Sequence, residues 1–413
     1  MKKLIFLLFL AFVAPRISAQ IISIENLQKH IYTLASDEFE GRGTGEKGES
    51  KAAKYIAKEL KNLKLNPKGT KKYYQEFSFN LKLMNAENPH GPMVDKGVIK
   101  GKNVIGWVDN AAQYTVVIGA HYDHLGEGEL GGSREANPAG KIHHGADDNA
   151  SGVAAMLELA RYLQTNDRIE EHNYLFIFFS GEEEGLQGSK YWSENPTVPL
   201  ENISYMINMD MVGRLDSVTR SLVVHGVGTN SKFGSILQAA NTKNLSLVHD
   251  SAGVGPSDFT SFYRKDIPVL GFFTGQHSDY HKETDTPEKI NYKGEKEVIE
   301  LIINLVNQMD TIPKMEFQKT KEKQMGRTKF KVTMGIMPDY TFSGIGLKVD
   351  GVSDDKPAFN AGIKAGDIIV QVGDMEIKDM GDYMKLLGSL EKGDQRVVTV
   401  KRGEEKIQLN ITF

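Results

Sequence analysis

Along the first three quarters of the chain, apolar runs of strand length alternate with stretches whose apolar residues recur every three or four positions. Tyr114 to Ile118, Tyr174 to Phe179, Tyr205 to Met209 and Val269 to Phe273 are continuous and rich in β-branched and aromatic residues, as strands covered on both faces must be. Asn103 to Val108 reads as a further strand. Ala53, Ile56, Leu60 and Leu63 share one helical face, which Asn66-Pro67 stops, and Val153, Met156, Leu157, Ala160 and Leu163 share another. Glu295 to Met309 forms a closing helix, while the stretch between Asn66 and Asn103 reads as mixed and loop-rich. Strand and helix in alternation predict an α/β fold with a mostly parallel central sheet flanked by helices.

Beyond this region the pattern changes. Lys314 to Lys331 is dominated by charged and polar residues and predicts a linker. Short strands, glycine turns and one helix near Met380 to Leu390 then predict a small β-rich domain. The boundaries read as 1–19, 20–313, 314–329 and 330–413. The first segment has the form of an export signal. Lys2-Lys3 precede Leu4 to Ala14, an apolar run too short to span a bilayer, and Ile17-Ser18-Ala19 offers a cleavage site before Gln20. The expected location is therefore outside the cytoplasm, periplasmic or secreted, with no membrane association after removal of the signal.

Composition narrows the chemistry. The 413 residues carry a net charge of -4, which becomes -7 when Lys2, Lys3 and Arg16 leave with the signal. No basic stripe suggests nucleic acid. The absence of cysteine excludes disulfides, a thiolate nucleophile and Cys-ligated zinc. Any metal must be held by His, Asp and Glu. Five segments supply them: His121-Tyr122-Asp123, Asp147-Asp148-Asn149, Glu182-Glu183, Asp210 and His281, with His277 a rival to the last. Three of the segments directly follow predicted strands, where open α/β sheets place their sites. Asp147, Asn149 and Ser151 could merely cap the next helix, but capping accounts for one acid and not for two in succession. Asp148 is the better candidate for a carboxylate shared by two ions. In Glu182-Glu183-Glu184 one acid could bind metal and its neighbour act as general base. Asp210 lies between Met209 and Met211 and must be paired, metal-bound or protonated. The set as a whole is that of a two-metal hydrolytic site. Gly126-x-Gly128-x-x-Gly131 fails as a dinucleotide motif, because Glu127 and Glu129 would repel phosphate.

Residues 24–312 resemble the di-zinc exopeptidases of peptidase family 28. The resemblance rests on Ala120-His121-Tyr122-Asp123-His124, Gly145 to Gly152, Glu182-Glu183-x-Gly185-Leu186-x-Gly188-Ser189, Asn208-Met209-Asp210 and Tyr280-His281-x-x-x-Asp285-Thr286, with Leu34 to Arg42 as the domain's start. It implies two Zn2+ ions bridged by Asp148, with His121 and Asp210 completing one position and Glu183 and His281 the other. It further implies Glu182 as the base acting on a bridging hydroxide, Asp123 as an orienter behind the ligands, a cis peptide at Asp148-Asn149 and Tyr280 as a group that polarises the scissile carbonyl. The implied function is an exported aminopeptidase acting on peptides. Glutaminyl cyclisation and carboxypeptidase action on the same fold are alternatives. Two departures bear on specificity: Glu283, and His124 with the insertion from Gly126 to His144, which could cover the site.

Residues 330–413 resemble a bacterial-type PDZ domain, through Pro357-Ala358-x-x-Ala361-Gly362-Ile363-x-x-Gly366-Asp367-Ile368-Ile369 and Gly373-Asp374. The resemblance implies that Met334-Gly335-Ile336 is the loop that would receive a peptide C-terminus. A non-catalytic protein that binds through this domain is the alternative from a different class.

Overall fold

A computed structural model describes residues 22–83, 94–129, 131–320, 331–338, 342, 344–352 and 355–413. The proposed export signal and the linker residues 321–329 lie outside the described residues. The N-terminal region is built on nine strands: β1 (Asn66–Pro67), β2 (Tyr74–Leu83), β3 (Val94–Val108), β4 (Tyr114–His121), β5 (His172–Phe179), β6 (Ile203–Met209), β7 (Ser221–His225), β8 (Ser246–His249) and β9 (Val269–Phe273). They form one sheet in the order β1-β3-β5-β4-β6-β9-β7-β8, with β2 paired to β3. The central four, β5-β4-β6-β9, are parallel, whereas β3 and β7 join them antiparallel.

The sheet is covered on both faces because its central strands are apolar on both faces. Along β5, Tyr174, Phe176 and Phe178 enter one core and Leu175, Ile177 and Phe179 the other. The first core is closed by α1 (Ile24–Leu34), α2 (Lys47–Asn62), α3 (Gly152–Thr165), α5 (Phe233–Ala240) and α7 (Tyr292–Met309). The second is closed by α4 (Gln187–Glu194) and α6 (Phe259–Tyr263), where Trp192 stacks on Phe262. The predicted helical faces hold: Ala53, Ile56 and Leu60 are buried on α2, and α3 is buried from Gly152 through Ala160.

Two expectations fail. The stretch predicted as loop-rich contains β2 and most of β3, paired over ten register positions. Phe77, Phe79, Leu81 and Leu83 do alternate with polar residues, but the outer half of β3 is open to solvent, so no apolar run marks it. Residues 314–320 are not a free linker. Met315 is buried and its N–H donates to Ser204 Oγ (3.0 Å), Gln318 N–H donates to Thr229 O (2.8 Å), and Phe317 packs on Tyr263. Their charge content hid the apolar side chains that alternate with it.

The C-terminal region has its own core and a six-stranded sheet, β10 (Ile336–Pro338), β11 (Leu347–Val352), β12 (Ile368–Val372), β13 (Met375–Glu376), β14 (Gln395–Arg402) and β15 (Glu405–Thr412), with α8 (Pro357–Ala361) and α9 (Met380–Ser389). β10 is an edge strand. Asp367 is fully buried and clamps Arg402 with both carboxylate oxygens, at 2.7 and 2.8 Å.

Candidate active site

The sheet places the site at the carboxyl ends of its parallel strands. His121 is the last residue of β4, Glu182 and Glu183 follow β5, and Asp210 follows β6. His281 comes from the long loop after β9 and adopts φ +58°. Asp148 lies in the turn Ala146–Ser151 before α3. That turn is stitched to the loop after β6: Asn149 Nδ2 donates to Met209 O (3.0 Å), Met211 N–H to Asn149 Oδ1 (3.1 Å) and Gly213 N–H to Asp147 Oδ1 (2.7 Å). The Asp148-Asn149 peptide bond is cis. Asp285 Oδ2 accepts from the N–H groups of both Asp147 and Asp148 (2.9 and 3.1 Å).

Five sequence-predicted residues converge. His121 Nε2 lies 3.3 Å from Asp148 Oδ1 and 3.3 Å from Asp210 Oδ1. His281 Nε2 lies 3.2 Å from Asp148 Oδ2 and 3.2 Å from Glu183 Oε2. Asp148 therefore turns one oxygen to each histidine. His281 Nε2 is buried and makes no hydrogen bond despite the two carboxylate oxygens beside it. A tetrahedral ion with bonds of roughly 2.0 Å sets its ligand atoms about 3.3 Å apart. These side chains fit that spacing on both sides of Asp148.

The electrostatics also call for cations. Burial, joined by Glu183, Asp210 and Asp258, pushes the Glu182 carboxyl well above its ordinary value against the pull of His121. Burial and the neighbouring Asp123 and Glu183 raise Glu184 to about 8. Asp258, raised to about 7 chiefly by burial, has neither oxygen hydrogen-bonded. Carboxyls this crowded stay ionised together only if positive charge is supplied.

The remaining predicted residues take other places. The Asp123 carboxylate receives the N–H groups of Glu182 and Glu183 (3.2 and 3.3 Å) and the Thr44 hydroxyl (3.0 Å). It sits 3.8 Å from His121 Nδ1, whose nearer partner is Asp123's own carbonyl at 3.2 Å. Asp123 thus holds the Glu182-Glu183 loop more directly than the imidazole. Tyr280 stacks on His281, with Arg134 over its ring. The rival His277 turns to Asp147 (3.2 Å) and stays out of the set. His124 lies inside the site: it is fully buried and its Nδ1 is 2.8 Å from Glu183 Oε1. In the C-terminal domain Met334 is buried, Gly335 has φ +76° with its N–H on Thr333 Oγ1 (3.1 Å), and Ile336 opens β10.

Sequence reasoning missed Arg42 and Asp258. The Arg42 guanidinium is fully buried and donates to four carbonyls, those of Leu34, Tyr122, His144 and Gly145, at 2.6 to 2.9 Å. It joins the start of the domain to the two segments that carry His121 and Asp148. Arg42 ends the Leu34 to Arg42 motif, but nothing local gives its role, and no motif marks Asp258; each takes its role from segments distant in the chain.

Comparison with known proteins agrees with this architecture. The profile of peptidase family M28 matches residues 103–306, and that of the PDZ domain matches residues 315–413. A probable leucine aminopeptidase of Trichophyton verrucosum is 23% identical over 273 residues, covering 60% of this chain and 67% of its own. Among solved structures, a zinc aminopeptidase from Bacillus subtilis superposes with a TM-score of 0.54 at 18% identity, covering 73% of this chain and 97% of that one. Porphyromonas gingivalis glutaminyl cyclase gives 0.53 at 17% identity, covering 70% and 100%. Sequence, sheet topology and these matches lead to one assignment: the chain carries a peptidase family M28 domain and a C-terminal PDZ domain.

Proposed function

We propose that this protein is an exported, zinc-dependent aminopeptidase that removes N-terminal residues from peptides with the help of two ions. The observation that carries this reading is Asp148, whose two oxygens face two histidines, each paired with one further carboxylate. In it, His121 and Asp210 would hold one ion and Glu183 and His281 the other, with Asp148 available to both. Bound there, the ions would acidify a water molecule and polarise the scissile carbonyl. Glu182 is the acceptor for the proton of the attacking water and returns it to the leaving amine. Asp123 keeps Glu182 and Glu183 in register through their N–H groups. Tyr280 is the candidate donor to the developing oxyanion. The edge strand β10 offers a peptide C-terminus a place beside Met334-Gly335-Ile336 by strand addition. The apolar run Leu4 to Ala14 behind Lys2-Lys3 supports export, and no described helix is long and apolar enough to cross a membrane.

Glutaminyl cyclisation is the second reading, favoured by the fold shared with the cyclase. One experiment separates the readings. A peptide beginning with Gln is incubated with the mature protein, with and without chelator, and the masses are read. Chelator-sensitive loss of the first residue is the expected result. Loss of ammonia alone would make the protein a cyclase, and loss of the last residue a carboxypeptidase.

A further inference from the structure

The two ligand sets around Asp148 are supported in different ways. On one side the His121 imidazole rests on its own strand end, with Nδ1 3.2 Å from Asp123 O. On the other side the support comes from His124 and the insertion that follows it. His124 Nδ1 meets Glu183 Oε1 at 2.8 Å in hydrogen-bonding geometry, while Glu183 turns Oε2 to His281. Gly132 O accepts from His281 Nδ1 at 2.8 Å, which leaves Nε2 as the bare nitrogen. Arg134 N–H donates to His281 O (3.0 Å), so the insertion grips both the side chain and the backbone of a residue in the left-handed region.

His124 Nδ1 is close enough to Asp148 and Glu183 to be a ligand itself. The distances decide otherwise. It lies 3.8 Å from Asp148 Oδ2 but 2.8 Å from Glu183, the length of a charge-assisted N–H···O bond and shorter than the 3.2 to 3.3 Å separating the other pairs. An N–H bound to Oε1 leaves Oε2 as the oxygen free for a cation.

Resting on the two-ion reading above, we infer that His124 and Gly132 are positioning groups for the Glu183–His281 position alone, so that His124 and the insertion that follows it set the affinity of one ion and not of both. Outer partners of this kind are worth roughly 10- to 100-fold in metal affinity. The test measures zinc per chain by elemental analysis after dialysis against buffered free zinc, with thermal melts to establish folding. The wild-type chain should keep two ions. His124→Leu removes the donor, and Gly132→Val forces a backbone at φ +78° to turn and carry its carbonyl away. Each variant should stay folded and keep one ion, the second binding roughly 10- to 100-fold more weakly. His124→Asn, whose amide nitrogen stands near the place of Nδ1, should recover most of the loss. A variant that only misfolds would lose both ions and its cooperative melt. A folded His124→Leu that holds both ions as tightly as wild type, or weakens both alike, overturns the inference. A wild-type chain that takes up fewer than two ions overturns the two-ion reading and this inference with it.

Discussion

Glu182 and Glu183 are adjacent in the chain and meet opposite electrostatic fates. Burial raises both, but His281 and the bond from His124 hold Glu183 down to about 2, whereas Glu183, Asp210 and Asp258 add to the rise at Glu182. The two surroundings therefore act in opposite directions, one favouring the carboxylate and the other the protonated form. Glu182→Gln should keep the wild-type metal content and lose turnover by roughly 10²- to 10⁴-fold; wild-type rates would remove Glu182 from the mechanism. A second residue-scale effect lies away from the site. His30, buried on α1 against the Tyr55 hydroxyl, is lowered from 6.5 to about 4 by burial. Below pH 6.5 the unfolded chain takes up a proton that folded His30 refuses, so stability falls as pH drops from 6.5 towards 4. This one group accounts for up to roughly 3 kcal/mol of that fall. Chemical denaturation of His30→Gln across this range should show a shallower decline than wild type. The acidic pairs were legible as chemistry because each lies in a few consecutive residues. The residues alone left open which glutamate binds and which abstracts, and only the resemblance assigned Glu183 and Glu182; the groups around them, His281, His124 and Asp210, are remote in the chain.

At the scale of elements, the site depends on how the strand ends are held together. Arg42 does this through four backbone carbonyls, so its loss leaves several buried acceptors without a donor. Arg42→Met should lower unfolding stability by more than about 3 kcal/mol in denaturant titrations, and metal affinity with it; a change below about 1 kcal/mol would show the carbonyls finding other partners. The parallel strands were legible because burial on both faces makes them continuously apolar. The β2–β3 hairpin was not, because half of it faces solvent and only alternation marks it. The turn Ala146–Ser151 was readable as polar and helix-initiating. Its stitching to Met209, Met211 and Gly213, which aims Asp148 inward, depends on β6 ending beside it.

At the scale of the whole molecule, the peptidase domain ends later than charge patterning suggests. A chain stopped at Thr320 should melt with the peptidase transition of the full protein. One stopped at Pro313 loses the buried Met315, the Phe317–Tyr263 contact and the bonds at Ser204 and Thr229, and should be less stable by about 2 to 4 kcal/mol. Equal melting of the two would return residues 314–320 to the linker. The sequence by itself determined the α/β class, the strands that carry the site, the residue types available for metal and the change of domain after the α7 segment. These are properties of neighbours in the chain: periodicity, the absence of cysteine and acids set at strand ends. Only the tertiary structure decided that His277 serves Asp147, that Arg42 ties the strand ends together, and that His124 lies within the site and not above it. Each of these depends on where segments tens to more than a hundred residues apart come to rest. That placement is set by the packing of the sheet between its two cores, a cooperative outcome that no local pattern encodes.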